Sequence, residues 1–206
     1  MIRGFFGVIS LLLLSFEAAA QTEPVDKNFG GAYAGGQLLL GQAYVAGDGS
    51  AGPAFLGSLD LGYAIKRDTW NRIELGLELG TGKASFKDKG TPSIDVDLGL
   101  DAIVMLKGGY GYSLGGAAFG FFRAGVGMVS ASFDGSAGDV DIDGGSSTGV
   151  ATMIGWDAVY FADASLDLIF GASLRLINFN FNDVADDRGS FQLNIPSVYA
   201  GARWRL

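Results

Sequence analysis

The sequence predicts an all-β protein, an eight-stranded antiparallel transmembrane β-barrel with up-and-down topology. Three features favour this fold. Apolar and polar residues alternate along several segments, short and long connections alternate between these segments, and no apolar run beyond the N-terminus approaches the ~20 residues that a transmembrane helix needs. Although 49% of the 206 residues are hydrophobic, they are distributed along single faces of the predicted strands. A chain of this length fits one barrel domain.

The N-terminus has the features of a secretory signal peptide. Arg3 provides a short basic region, an apolar stretch extends from Phe5 to Phe16, and Ala18, Ala19 and Ala20 form a small-residue cleavage motif. We therefore divide the chain into a signal peptide at 1–20, a short N-terminal periplasmic segment at 21–28 and the barrel at 29–206.

The alternation is clearest in the third and fourth predicted strands. Between Arg72 and Gly80 the even positions are charged residues or glycine, and the odd positions are isoleucine or leucine. Because successive side chains of a strand point to opposite faces, this segment has one apolar and one polar face. The same pattern predicts strands near 30–45, 54–65, 72–81, 94–112, 119–133, 148–160, 165–177 and 191–206.

In each strand from the second to the eighth, the charged residues fall on a single face, opposite the apolar one. We predict that this charged face lines the lumen, which gives as lumenal charges Asp60, Arg72, Glu74, Glu78, Asp95, Asp97, Asp101, Lys107, Arg123, Asp157, Asp167, Arg175, Arg203 and Arg205. The lipid-facing positions of the fourth strand would be Ile94, Val96, Leu98, Leu100, Ala102, Val104 and Leu106. A soluble β-sandwich, with charges outward, would show the same periodicity, so the connections and aromatic residues must decide between the two.

The connections favour a barrel in a membrane. Short ones at 66–71, 113–118 and 161–164 alternate with longer ones at 46–53, 82–93, 134–147 and 178–190, as periplasmic turns alternate with extracellular loops. Aromatic residues gather beside the short turns, as in the girdle at a membrane interface. These residues are Tyr63, Trp70, Tyr110, Tyr112, Phe119, Phe122, Tyr160 and Trp204.

The C-terminus resembles the β-signal by which the barrel assembly machinery recognises its substrates, with Tyr199, Gly201, Trp204 and Leu206 at the four signal positions. More broadly, the segments 30–36 and 122–127, together with Arg175, resemble the outer-membrane protein A and opacity-porin type of eight-stranded barrel. The resemblance covers roughly residues 29–206 and implies location in the cell outer membrane, after export through the periplasm. Its implied partners are outer-membrane lipid, lipopolysaccharide and, during biogenesis, the assembly machinery. The peptidoglycan-binding domain that some members carry is not expected here.

No catalytic or cofactor-binding residue is predicted. The sequence contains no His and no Cys, which removes the commonest general base and one major nucleophile. Asp139, Asp141 and Asp143 copy the opening of a calcium loop, but the closing position is Val150 instead of a bidentate glutamate, so a weak metal site is the most that they suggest. Lys83, Lys87 and Lys89 lie in a predicted outer loop and could contact lipopolysaccharide phosphates.

The remaining question from the sequence is whether the lumen is filled. An eight-stranded barrel is only wide enough for side chains, yet many inward positions are glycine. We expect paired charges to fill the lumen of a non-enzymatic barrel with an envelope-structural or surface-interaction role. A narrow porin-like channel for ions or small solutes is the alternative. The net charge of −8 argues against nucleic acid as a partner, and the surface ligand is unknown.

Overall fold

The computed structural model describes residues 30–46, 51–66, 70–88, 94–137, 140–181 and 189–206. Eight β-strands occupy these ranges, each with the alternation or β-branched content expected of a half-buried strand. The strands are β1 (Gly31–Val45), β2 (Ala51–Lys66), β3 (Asn71–Asp88), β4 (Ile94–Gly115), β5 (Ala118–Ala137), β6 (Val140–Phe161), β7 (Leu166–Phe181) and β8 (Gly189–Arg205). The predicted signal peptide and the segment at 21–28 lie outside the described residues.

The strands form one closed barrel in sequence order, which confirms the predicted fold class. All neighbours are antiparallel, and β1 closes the ring against β8 with Tyr33 opposite Arg205 and Gly35 opposite Arg203. Closure gives every strand a hydrogen-bonding partner on both sides, as hydrocarbon surroundings require. At one turn the chain reverses tightly after Gly115, where Gly115 and Gly116 both have positive φ. Among the described residues, no helix has the length and hydrophobicity needed to cross a membrane.

An apolar belt surrounds the barrel. On β2 the outward residues from Phe55 to Ile65 are apolar or glycine, and the outward residues of β5 are apolar up to Met128 and then become Ser130 and Ser132. This width of about 9–11 residues per strand is that of a transmembrane strand. The exposed aromatic residues at the short-turn end are Tyr63, Trp70, Tyr110, Phe122 and Trp204. Phe119 was expected in this girdle, but it points inward and is buried.

A β-bulge in β4 overturns part of the predicted face assignment. The pairing of β4 with β3 passes from Ile103 opposite Gly80 to Leu100 opposite Gly82, so two residues of β4 face one residue of β3. Because Asp101 is the extra residue, the side chains of β4 that precede it in the sequence point to the opposite face from the one that simple alternation predicts. The predictions for Asp97 and Asp101 are therefore wrong, because both side chains are exposed on the outside.

The lipid contact expected for Leu98 and Leu100 is wrong for the same reason, since both are buried inside the barrel. Two side-chain hydroxyl groups form hydrogen bonds that stabilise the bulge. The Thr81 hydroxyl donates a hydrogen bond to the Leu100 carbonyl oxygen at 2.9 Å. The Ser132 hydroxyl donates to the Asp101 carboxylate at 3.0 Å.

The strands also extend further than the sequence predicts on the side of the long connections. The expected loops at 82–93 and 134–147 are largely strand, because β3 continues to Asp88 and β5 and β6 pair as far as Ala137 opposite Val140. These extensions are rich in Gly, Ser and Asp and lie beyond the apolar belt, so a hydropathy pattern does not mark them. Lys83 consequently lies on the outer face of β3.

Candidate functional site

The inward charged residues form one buried cluster in the half of the barrel nearest the short turns. The cluster contains five acids and six bases, namely Asp60, Glu74, Glu78, Asp157 and Asp167 with Arg72, Lys107, Arg123, Arg175, Arg203 and Arg205. Alternation along the strands brings these side chains to one face, and closure of the sheet brings the faces together. The near balance of charge is important, because an unpaired charge in such surroundings is costly.

Glu74 of β3 is the centre of the lower group. Its carboxylate accepts hydrogen bonds from Arg203 at 2.8 Å and from Arg123 at 3.0 Å. Arg203 also pairs with Asp167 at 2.8 Å, and Arg123 also pairs with Asp157. These contacts join five strands, since the residues come from β3, β5, β6, β7 and β8.

Glu78, four residues further along β3 toward the long connections, is the centre of the upper group. Arg175 donates two hydrogen bonds to its carboxylate, at 2.5 and 3.2 Å. Lys107 lies 2.9 Å from the same carboxylate and also pairs with Asp60. Because β3 and β7 are four strands apart in an eight-stranded ring, the pair of Arg175 with Glu78 spans the lumen.

Aromatic rings pack against the cations of this cluster. The Arg72 guanidinium lies 4.8 Å from the ring centroid of Phe119 and 5.1 Å from that of Phe161. Arg203 lies 4.5 Å from the ring centroid of Tyr33. These distances are those of cation–π contacts. The sequence analysis assigned no lumenal role to Tyr33, although alternation along β1 could have placed its ring inside the barrel.

A second residue of the C-terminal segment contributes to the network. The Tyr199 hydroxyl donates a hydrogen bond to Asp157 at 2.8 Å, and the side chain is buried. Trp204 and Leu206, by contrast, are exposed on the outside of the barrel. The four residues of the predicted assembly signal therefore divide between the lumen and the lipid face.

Above the charged cluster, the interior of the barrel is apolar. Buried aliphatic and aromatic side chains from all eight strands fill the end nearest the long connections, among them Leu39, Leu56, Phe86, Leu98, Leu100, Ile103, Met105, Val129, Met153, Ile177, Phe179, Leu193 and Ile195. This apolar core is continuous with the ion-pair network nearer the short turns. The barrel interior therefore contains two layers of different chemistry, one apolar and one charged.

The inward glycines make room for ring side chains. A Cβ atom at Gly62 would overlap the Tyr33 ring, one at Gly111 would overlap the Phe121 ring, and one at Gly171 would lie 2.6 Å from the Tyr199 ring. A lumenal void beside Tyr33 has a volume of about 10 Å3, which is the size needed for a single water. Gly99 lies at an odd position of β4, which simple alternation would place inward with Asp97 and Asp101, but it faces outward beside the side chains of Asp101 and Ser132.

Several predicted positions lie outside the described residues. The side chains of Asp95, Lys87, Lys89, Asp139, Asp141 and Asp143 belong to this group. Among the side chains that are described, no group of three or more potential metal ligands comes together.

Comparison with known proteins agrees with this architecture. The structure resembles that of Neisserial surface protein A, with a TM-score of 0.51 and 15% sequence identity over 85% of this chain and 97% of the other. It also resembles the outer membrane protease OmpT from Escherichia coli, with a TM-score of 0.51 and 10% identity over 91% of this chain and 100% of the other. At these identities the likeness concerns the fold. No curated protein shows significant sequence similarity to the chain.

The family model described as outer membrane protein beta-barrel domain matches residues 6–195, which is most of the sequence. The closed antiparallel barrel, its outer apolar belt and its inward charged cluster are features typical of such a domain. The chain therefore belongs to the outer membrane protein beta-barrel domain family.

Proposed function

We propose that this protein is a non-enzymatic barrel of the outer membrane whose lumen is plugged, and whose role is structural or lies in contacts made at the cell surface. The observation that carries the proposal is the ion pair of Arg175 with Glu78, which spans the lumen. Lys107, Arg123 and Arg203 also pair with acidic side chains inside the barrel. The apolar layer around Met105 and Leu100 adds a second barrier to water. Ions would have to disrupt both layers to pass.

The absence of enzymatic activity is part of the same proposal. The sequence offers no His, and the carboxylates that alternation places together are held by arginine and lysine side chains. A carboxylate fixed in this way is a poor general base, because the adjacent cations stabilise its charged form. Glu74 and Glu78 therefore act as anchors for the bases that cross the barrel.

We further propose that the chain is exported after cleavage near Ala20 and inserted through its C-terminal β-signal. The apolar residues from Phe5 to Phe16 and the outward positions of Trp204 and Leu206 support this route. Outer-membrane lipid, including lipopolysaccharide, would surround the finished barrel. The long connections between strands would present its surface contacts.

Single-channel recording tests the plugged lumen against a porin-like channel. The purified full-length mature protein in a planar bilayer should show no regular conductance step, whereas a channel would conduct reproducibly. Arg123→Ala should produce occasional irregular events together with reduced stability. A steady conductance of the unmodified protein, with ion selectivity that shifts in Arg123→Ala without loss of stability, would establish the channel instead.

A further inference from the structure

An open groove runs along the lipid-facing side of β1, β2 and β3. Gly57 lies at its floor, and the outward side chains of Leu38, Leu40 and Phe55 form its walls. Its volume of about 610 Å3 is in the range of sites for small ligands. Because Gly57 carries no side chain, the neighbouring apolar residues are left with a gap that lipid must fill.

The groove lies in the half of the belt that faces the long connections, which places it in the outer leaflet. The pairing of β2 with β3 sets Thr81 opposite Gly57 and Lys83 opposite Phe55, so Lys83 is at the upper end of the groove. Lys83 is exposed and forms no ion pair with any residue that the structure describes. Two acids, Asp97 and Asp101, project outward from β4, on the side of Lys83 away from the groove.

An apolar groove that ends at an exposed ammonium group matches one kind of molecule in this leaflet. The molecule must have an acyl chain to occupy the groove over Gly57 and an anionic group at the level of the membrane interface. A phosphate placed there would form a charge-assisted hydrogen bond with Lys83. A zwitterionic phospholipid would gain less, because its own cation competes for the phosphate.

We propose that this groove is a binding site for the phosphorylated, acylated glycolipid of the outer leaflet, the lipid A part of lipopolysaccharide, with one acyl chain over Gly57 and one phosphate at Lys83. The proposal rests on the outer-membrane location and lipid surroundings proposed above, and it goes beyond the plugged lumen. It concerns the outer face only, and it stands or falls independently of whether the lumen conducts.

The test is a lipid titration by native mass spectrometry of the folded mature chain in detergent. The three probes are bisphosphorylated lipid A, the same lipid A without phosphates, and phosphatidylcholine. The unmodified protein should retain the phosphorylated lipid most strongly. Lys83→Gln should weaken this binding roughly tenfold, as expected for one hydrogen bond to a charged group, and should leave binding of the dephosphorylated lipid unchanged.

Gly57→Leu should weaken both forms of lipid A, because the new side chain fills the groove. It should be tolerated, since a Cβ at Gly57 meets only Leu38 Cδ2, at 3.8 Å. Gly108→Leu is the matched control. Gly108 also faces outward, and its Cβ would meet only Leu75 Cδ2, at 3.8 Å, but it lies away from Lys83.

All variants are checked for folding by their altered gel mobility without boiling, with Gly57→Ala as a smaller replacement if Gly57→Leu does not fold. The proposal is overturned if Lys83→Gln binds phosphorylated lipid A as strongly as the unmodified protein. Equal binding by the Gly57 and Gly108 variants, or equal retention of phosphatidylcholine, would also overturn it.

Discussion

Arg175 and Glu78 form an ion pair across the full width of the barrel, with a guanidinium nitrogen 2.5 Å from a carboxylate oxygen. The two residues come from β7 and β3, which are separated by three strands on either side of the ring. Each member is almost completely buried. A contact of this kind fixes the distance between opposite walls, which backbone hydrogen bonds between neighbouring strands cannot do.

Loss of Arg175 should therefore destabilise the whole barrel. Arg175→Met keeps much of the side-chain volume but leaves Glu78 with Lys107 as its nearest base. We expect a loss of about 3–5 kcal/mol, which is typical when one partner of a buried pair is removed. Urea unfolding of the protein in lipid vesicles measures this change in free energy.

Two further variants identify the cause. The double variant Arg175→Met with Glu78→Gln should recover part of the loss, since the uncompensated carboxylate is gone. Asn178→Met, on the outer face of the same strand, should change stability by less than about 0.5 kcal/mol. If Arg175→Met and Asn178→Met were equally mild, the pair would have no structural role.

The outer face is tested by two arginine substitutions on β5. Val126 and Ser130 lie on the same outward face of this strand, Val126 within the apolar belt and Ser130 at its edge. Val126→Arg should cost about 2–4 kcal/mol and Ser130→Arg about 0–1 kcal/mol, because the cost of a charge falls toward the interface. Unfolding in vesicles measures both, and similar costs would mean that the belt is placed wrongly.

The bulge at Asp101 is tested by cysteine labelling, for which the cysteine-free chain is convenient. Asp97→Cys should react with a membrane-impermeant maleimide on intact cells, because this position is exposed beyond the apolar belt. Leu98→Cys, the neighbouring position, should be protected inside the barrel. The opposite result would mean that β4 is regular and that its faces follow the simple alternation of the sequence.

The bulge also shows where sequence reasoning reaches its limit. Alternation predicts the eight strands, their order and the inward positions of residues such as Glu74 and Arg203, because a polar lumen and an apolar belt contrast there. On the side of Asp101 nearest the long connections, the lumen is no longer polar, since Leu98 inside the barrel and Val104 outside it are both aliphatic. The apolar residues of β4 occupy even positions on both sides of Asp101, from Leu98 to Leu106. The alternation in the sequence therefore does not reveal the one-residue bulge.

The extent of the strands could not be predicted for a related reason. Beyond the belt, β5 and β6 are rich in Gly, Ser and Asp and contain few large apolar residues, and the composition resembles that of a loop. The partners within the charged cluster were also inaccessible to the sequence. Alternation places Glu78 in the lumen, but only the closure and stagger of the strands decide that Arg175 of β7 reaches it.

Two substitutions in the C-terminal strand separate the stability of the barrel from its assembly. Tyr199→Phe removes the hydroxyl that donates to Asp157 but keeps the aromatic ring of the predicted signal. We expect a stability loss of about 1–3 kcal/mol, because Asp157 remains buried with one fewer donor. Leu206→Ser should have the reverse effect, slow assembly with nearly normal stability, since 78% of the Leu206 surface is exposed. Insertion rates measured with reconstituted assembly machinery, and unfolding measured in vesicles, distinguish the two. Slow insertion of Tyr199→Phe would mean that the hydroxyl itself is part of the recognised signal.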